Sequence, residues 1–291
     1  MSLPPEILKK VKLIELSTRK MVNNLFAGEY HSAFRGQGMT FSEFREYVPG
    51  DDVRAISWPV TARTGKPYIK KFDEEREMTL LLAVDVSGSS EFGTKQWFKG
   101  EVMTHLAALL GYSAAKNKDP VGLLLFSDQV EHYVPPKKGR GQIHRIIRDL
   151  LYHQPKSKGT NIGAAMEHMQ RSLKKRTNIF ICSDFMDDGF DLPLKMVGRK
   201  HDTVAVVVTD PAEKEIPNIG IVDFEDAETG EILTVDTGAA GFRQDYRELI
   251  RMREESREQQ LRRAQVDRID VNTHEDIAGP LVQFFRRRNR R

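Results

Sequence analysis

The sequence lacks several features that would assign it to the membrane or secreted proteins. No apolar run approaches the ~20 residues that a membrane-spanning helix needs. The first residues, MSLPPEILKKVKLIE, contain no apolar signal-peptide core. The single cysteine, Cys182, cannot form an internal disulfide and lies inside an apolar run. These absences predict a cytoplasmic protein without a transmembrane segment.

The motifs of several enzyme classes are also missing. The sequence has no Gly-x4-Gly-Lys-Ser/Thr phosphate loop, so we expect no intrinsic ATPase activity. Its histidines show no metal-site spacing, such as two histidines four positions apart with a glutamate, and we interpret each as a core or surface residue. The histidines considered are His105, His132, His144, His153 and His168.

Charged residues are abundant but nearly balanced, with 45 Lys and Arg, 42 Asp and Glu, and a formal net charge of +3. Much of the positive excess lies in RRRNRR, residues 286–291. Such a tail can attract nucleic acid or anionic lipid, or it can be the solvated end of a helix. Helical spacing assigns Phe284 and Phe285 to the core, which leaves no aromatic residues for base stacking. We therefore expect no nucleic-acid partner.

Alternating apolar runs and helical patterns predict the fold. Continuous apolar runs of this kind are typical of strands buried on both faces of a parallel sheet. They occur at 78–85, 121–128, 177–185 and 203–211, and a shorter strand is predicted at 266–273. Helical patterns occur at 97–117, 141–153, 162–176, 190–202 and 276–288. Residues 130–136 follow a strand almost directly, which predicts an antiparallel edge strand. The sequence thus predicts an α/β fold with a doubly wound, mostly parallel sheet of the Rossmann type.

Two segments fall outside this alternation. Residues 4–26 have the pattern of an amphipathic helix, and a glycine-punctuated, β-rich segment follows, so residues 1–77 are predicted to form an N-terminal helix and a small β-rich subdomain. Within the main domain, residues 78–291, a hairpin and a long charged helix form an insertion at about 215–264. Arginines and acidic residues alternate in the β-rich segment, either as a folded ion-pair network or as a docking surface.

Polar residues begin where the predicted strands end. Asp85, Ser87 and Ser89 follow the first buried strand, Asp184 closes the third, and Thr160 precedes a helix as either its N-cap or a ligand. The carboxyl ends of parallel strands share one edge of a sheet, where ligands bind. Hydroxyl and carboxylate oxygens suit Mg2+, and Mn2+ or Ca2+ would also fit. The serines and the threonine could instead merely cap local turns.

This ordered set resembles the metal-ion-dependent adhesion site of von Willebrand factor type A domains. The resemblance covers residues 78–211 and extends to the final strand and helix. It implies that Ser87, Ser89 and Thr160 contact the metal directly, whereas Asp85 and Asp184 support it through water or hydrogen bonds. It further implies an open coordination position that accepts a carboxylate from a partner protein.

The segment ahead of the metal motif narrows the resemblance. It carries Gly36-Gln37-Gly38, Phe44-Arg45-Glu46-Tyr47, Pro49-Gly50-Asp51-Asp52, Trp58 and Ala62-Arg63. Together with the later Glu228-Thr229-Gly230 turn, this resembles the bacterial family called domain of unknown function 58. Such proteins resemble adaptors encoded beside MoxR-type AAA+ ATPases, so the resemblance implies a protein that couples such an ATPase to a substrate in assembly or maturation.

Two functions are consistent with these residues. The first is a non-enzymatic interaction module that binds an acidic residue of a protein substrate through Mg2+ and works with a MoxR-type AAA+ ATPase. The alternative is a metal-dependent hydrolase, a phosphatase or nuclease, that uses the same carboxylates and hydroxyls. The set contains no evident pair of nucleophile and base, which favours the interaction module.

Overall fold

A computed structural model describes residues 5–22, 30, 33, 40–73 and 78–290. The strands of these residues are β1 (Thr40–Glu46), β2 (Tyr68–Asp73), β3 (Leu80–Asp85), β4 (Val121–Phe126), β5 (Val130–Lys137), β6 (Asn178–Ser183), β7 (Asp202–Thr209), β8 (Ile221–Glu225), β9 (Ile232–Asp236) and β10 (Asp267–Asn272). The helices are α1 (Pro5–Met21), α2 (Trp58–Thr64), α3 (Lys99–Lys116), α4 (Arg140–Tyr152), α5 (Ile162–Ser172), α6 (Asp191–Lys200), α7 (Ala240–Arg263) and α8 (Ala278–Asn289).

A six-stranded sheet in the order β10-β7-β6-β3-β4-β5 forms the centre of the fold. All neighbouring strands are parallel except β5, which pairs antiparallel with β4 at the edge. Every residue of β3 and β4 is buried, as their continuous apolar sequences require. The predicted α/β class with a mostly parallel sheet is therefore confirmed.

Helices cover both faces of this sheet. Helices α5, α6 and α7 pack on one face, where their apolar residues join Leu81, Ala83, Ile179 and Ile181 in one buried cluster. Alternate residues of the same strands point to the opposite face, where Phe180 of β6 meets a phenylalanine of α8. Helices α3 and α4 pack together, and α1 contacts both. Because both faces are covered, the strand ends are the accessible part of the sheet.

The chain divides into two compact units, residues 34–78 and the remainder. In the smaller unit β1 and β2 pair antiparallel and α2 lies between them in the sequence. Arg45 and Asp51 form an ion pair of 2.8 Å here, which is a contact that an ion-pair network would contain. The larger unit includes α1, whereas the sequence analysis grouped that helix with the β-rich segment. The predicted end of this helix, at residue 26, lies outside the described residues.

The hairpin and the charged helix lie within residues 221–263. Strands β8 and β9 form a two-stranded antiparallel sheet of their own, and α7 follows directly. At the other end of the chain, Arg288 in the last turn of α8 pairs with Asp202 at 2.6 Å. None of the helices in the described part of the chain has the length and apolar content of a membrane span.

Candidate functional site

The carboxyl end of β3 positions the first predicted site residues. Asp85 is the last residue of β3, and the chain turns at once into a short 3-10 helix, Gly88–Glu91. One carboxylate oxygen of Asp85 accepts the Ser87 backbone N–H at 2.9 Å, and the other accepts the Ser183 hydroxyl at 2.6 Å. Ser183 ends the neighbouring strand β6. Asp85 therefore ties two strand ends together beneath the turn that carries the serines.

The two serines of the motif face each other across this turn. The Ser87 and Ser89 hydroxyl oxygens lie 3.2 Å apart. Ser87 stands at the start of the 3-10 helix, but its side chain makes no capping hydrogen bond. Ser89 lies close enough to the Asp184 carboxylate to help lower its pKa. The structure therefore joins Asp85, Ser87, Ser89 and Asp184 in one connected group.

The structure also decides which residue caps helix α5. The Asn161 side chain accepts the backbone N–H of Ala164 at 2.9 Å, so Asn161 is the N-cap and Thr160 is not. The loop before Thr160 lies against the serine turn, because the Gly88 N–H donates to the Lys158 carbonyl at 2.8 Å. The Thr160 hydroxyl donates to the Glu228 carboxylate at 2.5 Å. Thr160 thus reaches the site through this loop, with its hydroxyl directed at a carboxylate.

Lys99 is the main feature of this edge that the sequence analysis missed. Its ammonium group is buried and pairs with the Asp184 carboxylate at 2.8 Å and with Glu213. A signal for it existed, because Val102, Met103 and Leu106 are buried on the face of α3 that carries Lys99 at helical spacing. A lysine on an apolar helical face must find a charged partner inside the protein.

The two aspartates of the site have opposite pKa shifts. Burial, together with the charge of Asp184, raises the pKa of Asp85 to about 6. For Asp184 burial acts in the same direction, but the charge and hydrogen bond of Lys99 outweigh it and lower its pKa. The pKa of Lys99 is raised, because Asp184 and Glu213 outweigh the opposing effect of burial. Asp85 is therefore the buried carboxylate of this pair without a cation beside it.

The donor set fits a hard divalent cation of the Mg2+ type. Such an ion takes oxygen ligands, keeps several waters and uses few direct carboxylates. Here two hydroxyl oxygens lie 3.2 Å apart, and the backbone N–H of Ser87 donates to the buried carboxylate of Asp85, whose pKa is raised by its burial. In the described part of the chain no group of three or more His, Cys, Asp or Glu residues could hold a metal ion. A metal at this edge would therefore depend largely on hydroxyl and water ligands.

Comparison with known proteins gives one family and several distant structures. The family described as "Protein of unknown function DUF58" matches residues 43–256. The uncharacterized protein Rv1480 of Mycobacterium tuberculosis is 26% identical over 289 residues, covering 98% of this chain and 91% of the relative. The solved structure of the conserved hypothetical protein BatB from Bacteroides thetaiotaomicron has a TM-score of 0.47 at 15% identity, covering 74% of this chain and 100% of that chain. The SpRpn10 VWA domain has a TM-score of 0.37 at 12% identity, covering 71% and 94% of the two chains.

Proposed function

The chain belongs to the family described as protein of unknown function DUF58, and we propose that it is a non-enzymatic adaptor that binds protein partners through a divalent cation. The observation that carries the proposal is the connected group of Asp85, Ser87, Ser89 and Asp184 at the carboxyl edge of the sheet. Thr160 lies on the loop held against this group and does not cap its helix. This constellation is the reason to interpret the fold as von Willebrand factor A-like.

In this proposal the hydroxyls of Ser87, Ser89 and Thr160 contact the metal directly. Asp85 and Asp184 hold the hydroxyls and bound waters in place and supply negative charge, as groups around metal ligands commonly do. The bound ion, Mg2+ or alternatively Mn2+ or Ca2+, would supply a Lewis-acidic position for a carboxylate oxygen. The Asp or Glu residue that fills this position belongs to a protein substrate.

We further propose that the adaptor works in the cytoplasm with a MoxR-type AAA+ ATPase, in the assembly or maturation of that substrate. The support for this partner is the resemblance of the segment ahead of the metal motif, with Arg45, Asp51 and Trp58, to the family. We expect no catalytic turnover, since the site offers hydroxyls and carboxylates but no evident pair of nucleophile and base. We expect no nucleic-acid partner, since the phenylalanines beside the C-terminal arginines, Phe284 and Phe285, are buried in the core.

The test is metal and partner binding by a matched pair of variants. Isothermal calorimetry would compare Mg2+ binding to the wild type, to Ser87→Ala with Ser89→Ala, and to the control Ser90→Ala in the same turn. A pull-down of the MoxR-type ATPase and substrate, with and without EDTA, would follow the same proteins. We expect both affinities to fall at least about tenfold in the double variant. Unchanged metal and partner affinities in that variant would refute the proposal.

The alternative function, a metal-dependent hydrolase, is tested by an assay for catalytic turnover. A panel of phosphatase and nuclease substrates with Mg2+ would show no turnover if the protein is an adaptor. Metal-dependent turnover that is lost in Asp85→Ala would replace the adaptor with an enzyme.

A further inference from the structure

The tip of the β8–β9 hairpin lies directly against the Asp-x-Ser-x-Ser turn. A Cβ atom on Gly88 would lie 2.2 Å from the carbonyl oxygen of Ala227 and 2.8 Å from its carbonyl carbon. No real Cβ atom approaches backbone atoms so closely, so a side chain at position 88 would push the hairpin away. The glycine between the two serines of the motif is therefore the residue that lets the hairpin reach the site.

The hairpin tip presents one acidic side chain to the site. Glu228 accepts a hydrogen bond of 2.5 Å from the hydroxyl of Thr160, one of the three hydroxyls assigned to the metal. Two hydrogen bonds shape the turn that carries Glu228: the Asp226 carboxylate accepts the backbone N–H groups of Glu228 and Thr229, at 2.9 and 2.8 Å. These hydrogen bonds, that of Thr229 first, also lower the pKa of Asp226. An ordered turn thus brings a carboxylate to an edge that already holds Asp85 and Asp184.

The rest of the hairpin is held loosely. Its two strands form a sheet of their own, and Ile221, Ile232 and Leu233 are 75%, 64% and 64% exposed. Two-stranded hairpins are marginally stable without packing against other elements. The base of the hairpin is anchored by the buried Thr237, whose hydroxyl donates to the Gly220 carbonyl at 2.7 Å. The contacts at Gly88 and Thr160 hold the tip at the other end.

We propose that Glu228 is an intrachain ligand of the metal site, so that the hairpin closes the site in the resting protein. This inference rests on the proposed function, because it takes the metal at Ser87, Ser89 and Thr160 as given. A carboxylate that is hydrogen-bonded to one of these hydroxyls would compete for the position that the adaptor offers to a partner's Asp or Glu. A partner carboxylate must then displace the hairpin tip, and the affinity for partners is set by this competition.

The experiment uses Mn2+ as a probe, because its relaxation of water protons reports how many water molecules exchange on the ion. The proteins are the wild type, Glu228→Ala, the control Glu225→Ala on the same hairpin, and Ser87→Ala with Ser89→Ala. We expect the relaxation per bound Mn2+ to rise by about a third to a half in Glu228→Ala, as one water joins the several that such an ion keeps. We expect its Mn2+ dissociation constant to rise at least about tenfold. Glu225→Ala should match the wild type in both measurements.

Hydrogen exchange gives a second readout that does not depend on counting waters. Mg2+ should slow the exchange of the amides in residues 221–236 of the wild type and have no such effect in Glu228→Ala. If Glu228→Ala and the wild type agree in Mn2+ affinity, water relaxation and hairpin exchange, the inference is overturned while the metal site stands. If the double serine variant binds Mn2+ as the wild type does, the metal site itself is wrong and the inference falls with it.

Discussion

Replacing Lys99 with methionine would remove the one ammonium group that the structure shows on Asp184. The side chain of Lys99 is 1% exposed, and that of Asp184 is 6% exposed. Methionine keeps the length and the apolar contacts of the lysine stem, so the substitution removes charge with little change in packing. What remains is a buried carboxylate facing a second buried carboxylate, Asp85, across the site.

The cost of this change follows from the burial of the pair. Removing one partner of a buried ion pair costs about 3–5 kcal/mol, because the remaining charge is left without compensation. In a chain of this size each kcal/mol shifts the melting temperature by about 2–4 °C, so we expect a fall of about 6–20 °C. A divalent cation beside Asp184 would restore part of the missing positive charge. Added Mg2+ should therefore raise the melting temperature of Lys99→Met more than that of the wild type.

The assay is urea and thermal unfolding followed by far-ultraviolet circular dichroism, in EDTA and in Mg2+. Lys95→Met is the matched control, because Lys95 is exposed and lies four positions before Lys99. We expect the control to change stability by less than about 0.5 kcal/mol. A loss in Lys99→Met as small as that of the control would show that the ammonium does not compensate Asp184. If Lys99→Met loses the same stability in EDTA and in Mg2+, Lys99 does not affect the metal site.

Three further predictions concern the core. Burial lowers the pKa of His201 to about 4, so the unfolded state binds the proton more strongly. The free energy of unfolding is then unaffected by this histidine above about pH 6.5 and falls toward pH 4, with about 2 kcal/mol lost at pH 5. Urea titrations of His201→Gln should not show this loss. In Gly198→Ala the new Cβ would lie 2.5 Å from the Ala264 carbonyl oxygen. The unfolding free energy of Gly198→Ala should fall by about 1–3 kcal/mol. That of Gly141→Ala should not fall, because the space around Gly141 is open. Burial raises the pKa of Cys182 to about 12, so a thiol reagent should label it at the rate of unfolding.

The strands, and the polar residues at their ends, could be predicted because a strand that is buried on both faces has a continuous apolar sequence. The run Leu80-Leu81-Leu82-Ala83-Val84 is apolar without alternation, which only a strand covered on both sides requires. The antiparallel edge strand β5 followed from its short connection and its prolines. Strand β6 was predicted to extend to Phe185 but ends at Ser183, since Phe185 has a left-handed φ of 55°. An apolar residue beyond a strand end cannot be told from one inside it by composition.

The contacts that complete the site could not be predicted, because they join segments far apart in the sequence. The hydrogen bond between Thr160 and Glu228 spans 68 positions, and that between Lys99 and Asp184 spans 85. Strand ends converge by the rules of parallel sheets, so the grouping of Asp85 with Asp184 was accessible. The position of a hairpin tip follows no such rule. The sequence predicts a turn at Glu228-Thr229-Gly230, but no pattern in it connects this glutamate with the metal motif.

The charges at this edge lead to a last prediction about protons. The Lys99 ammonium group pairs with the carboxylates of Asp184 and Glu213. Arg257 donates a hydrogen bond to the backbone carbonyl of Asp184. Asp85 is left with a pKa of about 6. A cation at the site favours the ionised carboxylate, so Mg2+ binding at pH 6 should release up to about half a proton, and at pH 8 almost none. Calorimetry in two buffers of different ionisation enthalpy measures this number. Equal release at both pH values, or none at pH 6, would show that Asp85 does not support the bound ion.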